Sequence, residues 1–185
     1  MSWQRPKGPA SPKMCPRAVG LLRLTLLVLA LAAGRPAQAQ QAYPLVGQAA
    51  PDFALHAVVG STVRLSEHRG EVVVLSFWGS RCYPCHAQLA ALNGSFSTYR
   101  SAGLAIYGIG VDDDEAKALD FAHSTPVGFP LLLDPAKLVS RSYQVDNLPM
   151  TVLIDRNGTV RHVVRDYNAA SAALYLQQLR TLLNE

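Results

Sequence analysis

The strongest constraint on this chain is a seven-residue run, Val72-Val73-Val74-Leu75-Ser76-Phe77-Trp78. It stops at Gly79-Ser80-Arg81 and gives way to a helical pattern beginning at Cys82. β-Branched, aliphatic and aromatic residues in unbroken succession predict a strand buried on both faces. From Cys82 to about Ala102, Leu89, Leu92 and Phe96 fall three and four residues apart, the spacing of one helix face. Gly94 is the expected weak point or kink of that helix. A cysteine therefore stands where a buried strand hands over to a helix.

The rest of the chain extends this alternation. The segment Val46 to Leu55 leads into a short strand, and Thr62 to Leu65 is a second that pairs with it as an N-terminal β-hairpin. Leu104 to Val111 reads as another buried strand. Asp112-Asp113-Asp114-Glu115 opens a helix reaching about His123, and the acidic cluster reads as a helix cap in preference to a metal site. Phe129 to Leu133 is a short strand, and Pro135 to Tyr143 a short helix with proline in its first turn. Met150 to Asp155 and Thr159 to Arg165 form a hairpin around Arg156-Asn157-Gly158, followed by a helix from Ala169 to Asn184. Buried strands alternating with helices give an α/β fold with helices on both faces of a parallel core, and the terminal hairpin makes the sheet mixed.

Of the 185 residues, the first 39 read as a secretory signal peptide. A basic stretch to Arg17 precedes an apolar run from Ala18 to Gly34, and Ala37-Gln38-Ala39 ends in the A-x-A pattern. Cleavage after Ala39 is expected, with a folded domain over 40–185. The rival, an uncleaved anchor, is disfavoured because the apolar run is short and interrupted by Arg23. Six of the 17 basic residues and none of the 13 acidic ones lie in 1–39, which leaves 11 against 13 beyond. The formal charge of +4 belongs to the leader, and the domain lacks the basic balance of a nucleic-acid binder.

Cys15 falls in the leader, so the domain keeps only Cys82 and Cys85. A bridge across so short a loop removes little unfolded-chain entropy. The pair is better explained by redox exchange, or by metal or haem binding. At a helix start, unsatisfied N–H groups and the helix dipole favour a thiolate, which would make Cys82 the attacking thiol and Cys85 the resolving one. Arg81 would add positive charge, Pro84 suits the first turn, and Tyr83 is expected at the surface. Cys82-Tyr83-Pro84-Cys85-His86 also matches the c-type haem pattern, but the α/β context argues against it, and His86 reads as a surface residue. No second Cys/His pair has zinc-ligand spacing, so no metal or other cofactor is expected. Pro149 is either a boundary proline of the strand that follows it or a cis-proline beside the cysteines, leaving the Leu148 backbone open to a substrate strand; the residues alone leave both readings open.

Phe77-Trp78-Gly79-Ser80-Arg81-Cys82-Tyr83-Pro84-Cys85 resembles the F-W-A-x-W-C-x-P-C motif of the thioredoxin superfamily. Val46 to Phe53 is similar to the entry motif of the redoxin branch, and Leu148 to Gly158 to its P-x-T-x-L-I-D-x-x-G motif. Together these resemble the TlpA/ResA-like exported thiol–disulfide oxidoreductases over nearly all of the chain from Val46 onward. The resemblance implies a thioredoxin-like fold, a cis bond at Pro149, and substrate contacts at Pro149, Leu148, Trp78 and Tyr83. It further implies a monomeric periplasmic reductant of cysteine-containing exported proteins, as in cytochrome c maturation, recharged by a membrane dithiol donor. Absence of room for a large helical insertion also favours the reducing direction.

Three positions depart from the family pattern: Arg81 replaces a Trp, Ser76 a buried Asp, and Gln88 an acidic residue. Losing both carboxylates predicts a couple less tuned by pH. A peroxiredoxin-like peroxidase is the alternative within the same branch. It would want Thr or Ser three residues before the reactive cysteine, where this chain has Gly79. A metal- or haem-handling chaperone using the same cysteines is the alternative outside catalysis.

Overall fold

A computed structural model describes residues 43–185. The expected leader, with Cys15 and the cleavage site, lies outside the described residues.

The apolar run Val72–Trp78 forms strand β3, buried at every position. It follows a two-stranded antiparallel hairpin, β1 (Ala54–His56) and β2 (Thr62–Arg64). After β3 come helix α1 (Tyr83–Tyr99), β4 (Leu104–Gly110), α2 (Glu115–Ser124), β5 (Leu131–Leu133) and α3 (Leu138–Ser142). The chain ends with β6 (Met150–Ile154), β7 (Val160–Val164) and α4 (Ala169–Leu183). The five-stranded sheet has the order β5-β4-β3-β6-β7. β4 runs parallel to β3 and β5, while β6 and β7 are antiparallel additions, so the sheet is mixed as expected.

Alternation along β3 divides the core. Val73, Leu75 and Phe77 pack with Phe53, Leu65, Val139 and Tyr143, under the hairpin and α3. Val72, Val74 and Trp78 pack with Leu89 and Leu92 of α1, Phe121 of α2 and Leu179 of α4. Period-two side-chain placement thus gives both faces an apolar layer. Both sheet edges are also partly covered. Ala57 bridges to Leu132 of β5, while the Gly47 amide donates to the Val160 carbonyl of β7 at 2.7 Å. Unpaired edges invite association, and the N-terminal segment occupies parts of both. Among the described residues no helix is long and apolar enough to cross a membrane.

Two local expectations need correction. Pro135 does not begin a helix: α3 starts at Leu138, and the buried Asp134 carboxylate accepts from the Ser140 amide at 2.7 Å. The aspartate supplies the cap, and Lys137 turns the chain in the left-handed region at φ 57°. Gly94 does not interrupt α1, which runs unbroken through it. A Cβ at Gly94 would meet nothing within 4 Å. Gly94→Ala should therefore stabilise the protein by about 0.5–1 kcal/mol by restricting the unfolded chain; urea unfolding measures it.

Candidate active site

The junction after β3 is tight. Gly79, Ser80 and Arg81 turn the chain, the Cys82 amide donates to the Gly79 carbonyl at 3.0 Å, and Cys82 stands as the N-cap of α1. Cys82 and Cys85 are joined in a disulfide with Cα atoms 5.3 Å apart. Their environments differ. Cys85 is fully buried against the α1 face of the core, whereas Cys82 is partly exposed and lines a groove of about 620 Å³. An incoming thiol or thiolate can reach only the Cys82 end of this bond.

The groove's far wall holds Leu148. The Leu148–Pro149 peptide bond is cis, Pro149 is buried, and Leu148 is partly exposed. A Cβ at position 79 would lie 3.0 Å from Leu148 Cδ1, so Gly79 permits the close approach of these two loops. The structure thus brings together Cys82, Cys85, Leu148 and Pro149 from segments more than 60 residues apart. Arg81 is exposed on the same groove, and Tyr83 is 92% exposed between the cysteines.

Trp78 is placed differently from its expected substrate-contact role. It is fully buried and stacks on Phe121 with centroids 4.5 Å apart. It supports the junction from below. Room for the indole is made by Gly110 on the neighbouring strand, where a Cβ would lie 2.7 Å from Trp78 Cζ2. Gly110→Ala should destabilise the protein by about 1–3 kcal/mol through overpacking, as read by denaturant unfolding. His86 is exposed as expected, yet its ring rests on Phe121 at 4.1 Å and its Nδ1 lies 3.3 Å from Thr125 Oγ1.

Three residues after Cys85 on α1, Gln88 joins a buried polar chain. Ser76 Oγ donates to Gln88 Oε1 at 2.9 Å, and Gln88 Nε2 donates to Thr151 Oγ1 at 2.7 Å. All three residues are buried. The two departures at Ser76 and Gln88 are thus one neutral, hydrogen-bonded unit tying α1 to β3 and β6. Thr151 is the Thr of the P-x-T-x-L-I-D-x-x-G motif, but its partner Gln88 lies 63 residues earlier, beyond the reach of local pattern.

Asp112 was also missed. Asp114, not Asp112, caps α2, accepting from the Lys117 amide. The Asp112 carboxylate instead holds the cysteine loop, accepting from the Ser80 amide at 2.8 Å and the Ser80 hydroxyl at 2.7 Å.

A mixed sheet with an accessible-then-buried C-x-x-C disulfide at a helix start, facing a cis-proline loop, defines a thioredoxin-fold redox protein. The model of the AhpC/TSA family matches residues 46–163. The thiol-disulfide oxidoreductase ResA of Geobacillus kaustophilus (strain HTA426) is 36% identical over 119 residues, covering 64% of this chain and 68% of that protein. ResA of Bacillus subtilis (strain 168) is 34% identical over 118 residues, covering 64% and 66%. Among solved structures, a Chlorobium tepidum protein assigned as a thiol:disulfide interchange protein, DsbE, superposes with a TM-score of 0.71 at 33% identity, covering 75% of this chain and 97% of that one. This chain belongs to the AhpC/TSA family and, within it, to the TlpA/ResA-like thiol–disulfide oxidoreductases.

Proposed function

We propose that the enzyme is exported, cleaved after Ala39, and works in the periplasm as a reductant of disulfides in other exported proteins, with apocytochrome c as the model substrate. The observation that carries the roles of the cysteines is the contrast between an accessible Cys82 and a fully buried Cys85. In the reduced enzyme the Cys82 thiolate attacks a substrate disulfide. One substrate sulfur leaves as thiolate and takes a proton, and a mixed disulfide remains on Cys82. Cys85, deprotonated, then attacks Cys82 Sγ and releases the second substrate thiol. Two electrons have passed to the substrate, and the enzyme is left with the Cys82–Cys85 bond. A membrane dithiol donor restores it by the same exchange in reverse. Leu148 and Tyr83, at the groove and its rim, are the proposed substrate contacts, and Pro149 shapes the loop that presents Leu148.

The test is the reduction potential of the exported protein, titrated in a defined thiol buffer. A value near or below about −220 mV is expected for a reductant, whereas one near about −120 mV would make it a disulfide donor. Peroxide-driven thiol consumption would instead point to the peroxidase reading. Absence of a reversible two-electron couple would favour a metal- or haem-handling role.

A further inference from the structure

We propose that Asp112 sets the acidity of Cys82, holding the cysteine loop in place while its fixed negative charge disfavours the Cys82 thiolate and so strengthens the enzyme as a reductant. The inference rests on Cys82 being the attacking thiol.

Asp112 is not a mobile surface acid. The backbone beside it is tied to the end of β3, where the Val111 amide donates to the Trp78 carbonyl at 2.9 Å. Lys137 grips the same loop from α3's side, donating to the Val111 carbonyl and pairing with Asp113 at 3.1 Å. Both Asp112 oxygens then point at Ser80, two residues before Cys82. The carboxylate is partly buried, and it lines the same groove as Cys82. The Ser80 donors orient the charge without cancelling it.

Cys82 therefore feels opposing influences. The start of α1 favours its thiolate. Around the groove stand Arg81, Lys137 and Arg141 as cations, and Asp112 and Asp146 as anions. Of these, Lys137 is paired with Asp113, and Asp146 with Arg165. On the other flank, a hollow beside Ser80 and Arg81 is lined by His86, Lys117 and Asp120, with Lys117 paired to Asp114. Asp112 is the groove carboxylate bonded directly to the cysteine loop. A nearby like charge disfavours ionisation. The reduced enzyme carries the thiolate and the oxidised enzyme does not, so the penalty falls on the reduced state alone. The couple is pushed towards the disulfide, and electrons leave more readily.

Asp112→Asn removes the charge while keeping an oxygen that can accept from the Ser80 amide. In the reduced exported protein, the pH dependence of iodoacetamide alkylation reads Cys82, since Cys85 is buried. The inflection should move to lower pH, with an increase in the acid constant of about threefold to tenfold. At a pH above both inflections, the equilibrium with a thiol buffer should shift by the same factor towards the dithiol. A tenfold shift corresponds to about 30 mV for this two-electron couple. Should Asp112→Asn lower the thermal midpoint, Asp112→Ser makes the same charge change with a different acceptor and must move both readings the same way. The proposal is overturned if a folded variant leaves both readings unmoved. It is equally overturned if the inflection rises towards the free-thiol value of about 8.5, which a loop merely loosened from the helix end would give. Loss of a reversible couple in the unsubstituted protein would instead sink the proposed function, so the two failures are distinct.

Discussion

Cys82→Ser should abolish disulfide exchange, and Cys85→Ser should turn the enzyme into a trap that holds its substrate through Cys82. The asymmetry follows from burial. Cys85, in the first turn of α1, is fully buried, while Cys82 opens onto the groove shared with Leu148. A substrate sulfur can meet Cys82 directly, so its loss removes the first step. Cys85 acts only once the mixed disulfide has formed, one helical turn from Cys82 and already aligned with it. Well-oriented intramolecular reactions reach effective molarities of about 10⁵ M or more, which millimolar external thiol cannot match. Release from Cys85→Ser should therefore slow by several orders of magnitude. Mass spectrometry of acid-quenched mixtures with a disulfide peptide should find the adduct on Cys82. An adduct accumulating on Cys85 in Cys82→Ser at a comparable rate would reverse the roles.

The parts of this molecule that were legible in the sequence are those encoded by local pattern. Val72–Trp78 could be read as a doubly buried strand because every position is apolar or small, and the structure buries them all. The cysteines could be placed at a helix start because the apolar period changes there. Reading failed where a side chain's partner is distant in the chain. Asp112 looked like part of an acidic cap, since helix-start rules see only the next few residues. Its actual partner, Ser80, lies 32 residues earlier across the β3–β4 register. The family resemblance implied a substrate contact at Trp78, within the motif itself. Strand alternation instead turns it into the layer under α1 and α2. Pro135 looked like a helix start because proline suits that position, but the helix begins three residues further on, at Leu138, where the Asp134 carboxylate accepts from the Val139 and Ser140 amides.

Gln88→Glu should give the redox couple a pH-dependent inflection that the unsubstituted enzyme lacks, and should make stability fall as pH rises. In the native protein Gln88 lies one turn after Cys85 on α1, where residues three apart are neighbours. Its two hydrogen bonds go to Ser76 and Thr151, neither of which titrates in the working range. The buried polar unit one turn from the resolving thiol is therefore neutral throughout, and the potential should follow pH through the cysteines alone. A carboxylate at position 88 would be buried, which raises its pKa, while hydroxyl donation from Ser76 and Thr151 opposes the rise. With burial dominant, the folded protein holds this proton more tightly than the unfolded chain does. Stability then falls as pH rises from the unfolded glutamate value of about 4.3, and levels off above the folded pKa. A rise of one to three units corresponds to a loss of about 1–4 kcal/mol at neutral pH. The same carboxylate could accept the Cys85 proton, linking its own titration to the couple. Potentials measured from pH 5 to 9 on both proteins test this directly. A neutral-pH inflection in the unsubstituted enzyme beyond cysteine titration would mean that another group does the work assigned to an acid at 88. No new inflection in Gln88→Glu would mean that the position is electrostatically remote from the dithiol despite its place on the helix.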